Sequence, residues 1–334
     1  MNSKKSYLNF FVELYVILII LFFAFNFTTI AAEKKSDIKF ITVASGTGDW
    51  ALIGAKIADV ITKDIPGITA TSIPGGGTIN LSKIQRGEVQ LGITHSTIPY
   101  LAYNGLEPFE EKHTKLRVIL SLNACLAQAI VPLDSDISSI SDLIKKPYSV
   151  YVSTPGQGSY VLILKMLEAF GITPEKIREI GGIVQTVGLN DGTRMMKDRM
   201  LDFIMFPGAV PYSLTMDLSF SPGIKLLPID GEAREKLLNS LPGLTEGVIP
   251  ANSYKNQDKD VPTVALFNQI ICSSELPDDL VYEITAAIIN HFSEFKELSD
   301  SLKSLSLDMV TLGTGIPFHP GAEKYYIEHD MFKK

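Results

Sequence analysis

The sequence predicts an α/β fold built as two lobes joined by two crossover strands, and three observations carry that prediction. From Ile38 onward, short β-rich runs alternate with stretches of helical periodicity. A second block near the middle of the chain resembles the first in order and punctuation. Two long apolar segments, Leu126 to Pro132 and Val264 to Cys272, are placed to run from one block to the other and back.

The first block opens with Ile38 to Ala44, a buried-strand pattern that ends in Ser45-Gly46-Thr47-Gly48. Ile53, Ile57, Val60 and Ile61 follow at helical spacing, and Pro66-Gly67 stops that helix. Ile68 to Ile73 reads as the second strand. Pro74-Gly75-Gly76-Gly77-Thr78 leads into a short helix carrying Leu81 and Ile84, and Val89 to Thr94 is the third strand. In the second block, Tyr148 to Val152 is a strand, followed by Thr154-Pro155-Gly156-Gln157-Gly158-Ser159. A helix with Leu162, Met166, Leu167 and Phe170 then closes at Gly171, and a helix around Thr193 to Arg199 feeds a strand from Leu201 to Phe206.

The blocks also end alike. A basic helix end, a short apolar strand, a loop and a Pro-Tyr pair opening another helix occur at residues 83–101 and again at residues 196–214. His95 and Ser96 thereby stand opposite Phe206 and Pro207. The last third holds a helix from Asp278 to Phe292 and an amphipathic stretch to Leu307, which would return to the first lobe. The expected division is residues 1–32 as a signal segment, 38–126 plus 270–334 as lobe one, and 127–269 as lobe two. Two lobes on two crossovers form a clamshell that can hinge on a ligand.

Composition narrows the function classes. Apolar residues make up 46% and charged ones 20%, a globular balance, and a net charge of −7 without a basic block argues against nucleic acid. Lys4 and Lys5, an apolar run from Leu14 to Phe25 and Thr29-Ile30-Ala31-Ala32 have the layout of a secretory signal. The apolar region from Phe10 through Phe27 is nearly long enough to span a bilayer, so a retained anchor is the alternative. The body is expected outside the inner membrane. Cys125 and Cys272 are too few for a disulfide framework; two buried thiols are the expectation, with one bridge after export still open.

Three glycine loops, Gly46 to Gly48, Gly75 to Gly77 and Gly156 to Ser159, each follow a strand and precede a helix. A helix start offers unpaired N–H groups and a partial positive charge, so it holds a carboxylate or phosphate without side-chain cations. In open α/β sheets ligands lie beyond the C-terminal strand ends, where these loops fall. Any one loop is explained as a tight turn with Thr47, Thr78 or Ser159 as a cap; recurrence in three loops brings a binding role level with that reading. Trp50 lies just past the first loop, where it is either core or a ligand-facing wall, and Asn80 offers a donor and an acceptor near the second. No dinucleotide or P-loop fingerprint, zinc-protease motif or nucleophile elbow is present, and no cofactor or metal is expected.

Ser45-Gly46-Thr47-Gly48-Asp49-Trp50, Gly75 to Leu81, Gly87 to Gly92, Tyr103-Asn104-Gly105, Pro155 to Ser159, Leu167 to Ile172, Asp260 to Val264 and His319 to Tyr326 together resemble the TAXI receptors, the TRAP-associated extracytoplasmic immunogenic proteins. The resemblance covers essentially everything after the signal segment. It implies a type II periplasmic-binding-protein fold and a receptor that delivers a small polar or anionic solute, an amino acid such as glutamate or a 2-oxo or dicarboxylic acid, to the membrane subunits of a TRAP transporter. It implies a cleft lined by Thr47, Gly48 and Trp50, by Gly77, Thr78 and Asn80, by His95 and Ser96, by Gly156, Gln157 and Ser159, and by Phe206 and Pro207. Trp50-Ala51-Leu52 replaces the tyrosines, and Ile79 the glutamate, that many members carry, so the resemblance does not name the solute. The alternatives are an exported enzyme on the same scaffold, with His95 and Ser96 as its candidate pair, and a sensory or adhesin-like surface protein.

Overall fold

A computed structural model describes residues 38–332; the signal segment expected at residues 1–32 lies outside them. Residues 38–332 belong to one compact unit. The chain runs β1 (Phe40–Ala44), α1 (Asp49–Asp64), β2 (Thr69–Ile73), α2 (Gly77–Gln85), β3 (Leu91–His95), α3 (Ile98–Asn104) and β4 (Leu116–Pro132). It continues through β5 (Ser149–Tyr151), α4 (Gly158–Ala169), α5 (Pro174–Glu179), β6 (Ile183–Gln185), α6 (Leu189–Lys197), β7 (Ile204–Gly208), α7 (Ser213–Phe220) and β8 (Ile224–Leu227). Then come α8 (Gly231–Ser240), β9 (Thr245–Ile249), β10 (Val261–Ser273), α9 (Asp278–Asn290), α10 (Phe292–Lys296) and α11 (Pro320–Glu328). Among the described residues no helix is long and apolar enough to cross a membrane.

The main sheet has the order β2-β1-β3-β10-β4-β7, with β8 beside β4 and β9 beside β10. β1, β2 and β3 are parallel, as short strands joined by helices must be. β4 and β10 are antiparallel to each other and long enough to serve both halves of the molecule. The late end of β10 pairs with β3 and its early end with β9, while the late end of β4 pairs with β7 and β8. The expected α/β class with two crossover strands is therefore the observed one. In the second half, β5 and β6 form a small parallel sheet that bridges at Val150 to Phe203, just before β7.

The first crossover is longer than the expected Leu126 to Pro132: it begins at Leu116. Ser121 and Asn123 break the apolar run in the sequence. In the sheet both are buried and bonded, Ser121 Oγ to the Leu312 carbonyl and Asn123 Oδ1 to the Asn268 amide, so the strand continues through them. Likewise the strand expected at Leu201 to Phe206 starts at Ile204 and runs to Gly208.

Packing explains why the last third closes on the first. Ile41 and Val43 of β1, Ile57 and Ile61 of α1, Ile284 and Ile288 of α9, and Tyr326 of α11 share one fully buried cluster. The spacing of Ile53, Ile57, Val60 and Ile61 puts them on the face of α1 that meets the sheet. Tyr326 Oη donates to the Ile119 carbonyl at 2.9 Å and ties α11 to β4. A second cluster lies on the opposite face and passes from Leu81 of α2 and Ile98 of α3 to Leu162 of α4 and Ile204 of β7.

Candidate functional site

A cavity of about 620 Å³ opens at the C-terminal ends of β1, β2 and β3, opposite the end of β7. Its floor is made by the crossovers, through Asn123 and Cys125 of β4 and Asn268 of β10. Five helices begin at its wall: α1 after Gly48, α2 after Gly76, α4 after Gln157, α6 after Gly188 and α7 after Tyr212. None of these five residues makes a side-chain cap. First-turn N–H groups that no side chain caps are the donors from which anion sites are built. Gly48 takes φ +59°, a left-handed backbone that favours glycine, and this turns the first loop into α1.

Trp50 stands at the mouth of α1 with its ring centroid 5.0 Å from that of His95. Its Nε1–H donates to Asn268 Oδ1 at 2.9 Å, and Asn268 Nδ2 donates to Asn123 Oδ1 at 2.8 Å. Each link in that chain consumes one acceptor, so the Asn123 amide nitrogen is left as the donor at its end. His95 Nδ1 is buried and has no partner among the described residues. Burial pushes the His95 pKa down to about 4, which makes the ring neutral at pH 7. The Cys125 thiol is pushed up to about 12 by burial, with the Asp49 charge acting in the same direction. It is a neutral wall group and no nucleophile. Both cysteines are free and buried, as expected.

Of the residues expected in the site, Thr47, Gly48, Trp50, His95, Gln157 and Pro207 line the cavity. The others stand behind or beside it. Asn80 is fully buried; its Nδ2 lies 2.7–3.0 Å from the carbonyls of Ala44, Ser45 and Ile93, and its Oδ1 accepts from Gly76 N–H. It therefore clamps the ends of β1 and β3 to the second glycine turn. Ser96 Oγ donates to the Gly243 carbonyl and accepts from Phe267 N–H, and neither of these hydrogen bonds involves the His95 ring. Ser159 pairs with Ser153, and the Phe206 ring packs against Tyr212 at 5.4 Å.

Gly77, Thr78 and Gly156 occupy a separate place, where the two halves touch. Thr78 Oγ1 donates to the Gly156 carbonyl at 2.7 Å, and a Cβ on Gly77 would lie 3.6 Å from Gly158 Cα. The starts of α2 and α4 abut there, in ordinary van der Waals contact.

Sequence reasoning missed Asn123, Asn268, Tyr212, the two carboxylates Asp49 and Asp191, and the Gly188–Asn190 turn, all of which line the cavity. The asparagines did leave a signal: each is a carboxamide inside a largely apolar strand, in Leu122-Asn123-Ala124 and Phe267-Asn268-Gln269. The α6 turn left none, since Gly188 stands alone.

Residues 41–329 match the NMT1-like family, and the chain belongs to it. Solved structures similar to it include the periplasmic binding protein BugD, at 12% identity over 88% of this chain and 93% of that one, with a TM-score of 0.49. A TctC solute binding protein from Polaromonas is 13% identical over 88% of this chain and 98% of its own, with a TM-score of 0.49. The periplasmic aliphatic sulphonate binding protein SsuA from Escherichia coli is 14% identical over 87% and 83%, with a TM-score of 0.46.

Proposed function

We propose that this member of the NMT1-like family is an extracytoplasmic receptor that captures a small polar or anionic solute and passes it to the membrane subunits of a TRAP-type transporter. One observation carries the capture step: five helix starts without side-chain caps, from both halves of the molecule, meet at a single cavity floored by the two crossover strands. Residues 38–126 with 270–334 act as one jaw and residues 127–269 as the other, bending at β4 and β10. The first-turn amides hold the acidic group of the solute, and Trp50, His95, Gln157 and Pro207 close around the rest. Thr78 and Gly156 form the latch that holds the jaws together. The closed form then presents the surface that the membrane subunits recognise, a step motivated by the resemblance of the glycine-loop motifs to those of TAXI receptors.

The test is a thermal-shift and calorimetry screen of amino acids, 2-oxo acids and dicarboxylates on the exported protein. Stoichiometric binding without turnover is expected, and a solute at one hundred times its Kd adds about 2.7 kcal/mol of stability. Chemical conversion of a bound solute would contradict the receptor role and support an enzyme on the same scaffold.

A further inference from the structure

Among the described residues, the cavity wall contains no lysine and no arginine, yet it contains two carboxylates, Asp49 and Asp191. They come from opposite halves and each sits in the first turn of a helix, Asp49 on α1 and Asp191 on α6. Ser301 Oγ donates to Asp49 Oδ2, and Arg194 donates to Asp191 Oδ1 at 3.0 Å from a solvent-exposed position. The other side-chain donors on the wall are neutral, among them the Asn123 and Asn190 amides, Gln157, Thr47, the Tyr212 hydroxyl and the uncharged His95 ring, whose buried Nδ1 has no partner among the described residues. The negative charge of Asp49 is felt across the cavity, where it helps to raise both the Cys125 thiol and the Tyr212 phenol, after burial itself.

Helix starts supply partial positive charge at the wall, which favours an acidic group there. A second acidic group in the same cavity would meet Asp49, which accepts from the neutral Ser301 hydroxyl, and Asp191, whose charge Arg194 offsets only in part from its exposed position. A cationic or donor-rich group would meet matched acceptors.

We propose that Asp49 and Asp191 set the selectivity of this cavity, admitting a solute with one acidic group and one cationic or donor-rich group and rejecting dianions. The inference rests on the receptor reading and narrows its solute class.

Glutamine, glutamate and 2-oxoglutarate share a five-carbon skeleton and are neutral, monoanionic and dianionic. Isothermal titration of these three, with the neutral amino acids and C4–C6 dicarboxylates beside them, is run on the wild-type protein and on Asp49→Asn and Asp191→Asn variants. The expected result is that every dianion binds at least about tenfold more weakly than the best zwitterion. Asp49→Asn should narrow that gap by weakening the zwitterion and strengthening the dianion. Asp191→Asn, an exposed change that leaves folding intact, should do the same to a smaller degree. Dianions binding tightest, or a gap unmoved in both variants, would overturn the selectivity claim while leaving the receptor reading in place. No binding by any of these solutes would count against the receptor reading, and the selectivity claim would fall with it.

Discussion

The first two glycine turns look alike in the sequence and are held differently in the molecule. The turn after β1 gives its whole length to the cavity: Gly46, Thr47, Gly48, Asp49 and Trp50 all line it. The turn after β2 reaches the cavity only with Gly75 and Gly76 and is held from behind, its Gly76 amide taken by Asn80 and its Gly75 so close that a Cβ there would lie 2.0 Å from Asn80 Oδ1. A strand, a glycine turn and a helix are thus not enough to mark a binding loop. What separates the two is whether a side chain of the protein already occupies the acceptors and donors of the turn.

That contrast yields different responses to mutation. The largest effect belongs to the turn after β2. Asn80→Ala leaves three buried carbonyls and the Gly76 amide without their partner, and should cost about 3–5 kcal/mol of stability in denaturant unfolding. A variant as stable as wild type would show that the clamp is not what holds the strand ends together.

Next comes acid. His95 is held neutral in the fold, with a pKa near 4 against about 6.5 when unfolded, so the unfolded chain takes up the proton first as pH falls. The stability that His95 contributes is present above the unfolded value and is lost on acidification, by about 2 kcal/mol between pH 7 and pH 5. His319 is also lowered by burial and adds a drop of its own. The sharper measurement is therefore the difference between wild type and His95→Gln, whose thermal melts should fall less steeply over that range. Equal slopes would mean that the cavity reaches His95 with enough water to protonate it at no cost.

The smallest stability effect belongs to the turn after β1. Trp50→Phe keeps a ring beside His95 and removes the donor to Asn268, which should weaken solute binding about tenfold while lowering stability by no more than about 1 kcal/mol. A large loss of stability with unchanged affinity would place Trp50 in the core and out of the site.

Much of the fold was legible because its signals are local. The isoleucine spacing of α1 and the short apolar strands around it lie within a few residues of one another, and the observed elements follow them closely. The crossover strand was only half legible, because Ser121 and Asn123 look like a break until partners 191 and 145 residues away are known. The site was legible where one turn makes it, as at Thr47 to Trp50. It was not legible where the role depends on what is already bonded. Asn80 and Asn268 are the same side chain; the first is saturated by three carbonyls and an amide, while the second passes a hydrogen bond from Trp50 to the cavity floor.

The most direct measurement is amide hydrogen exchange at the first turns of the cavity helices, with and without the tightest-binding amino acid from the screen. The amides of Asp49 and Trp50 on one side, and of Gly158, Ser159, Leu189 and Asn190 on the other, should gain protection together. Binding that protects one side alone, or that leaves all of these amides exchanging as before, would contradict a grip shared by helix starts from both jaws.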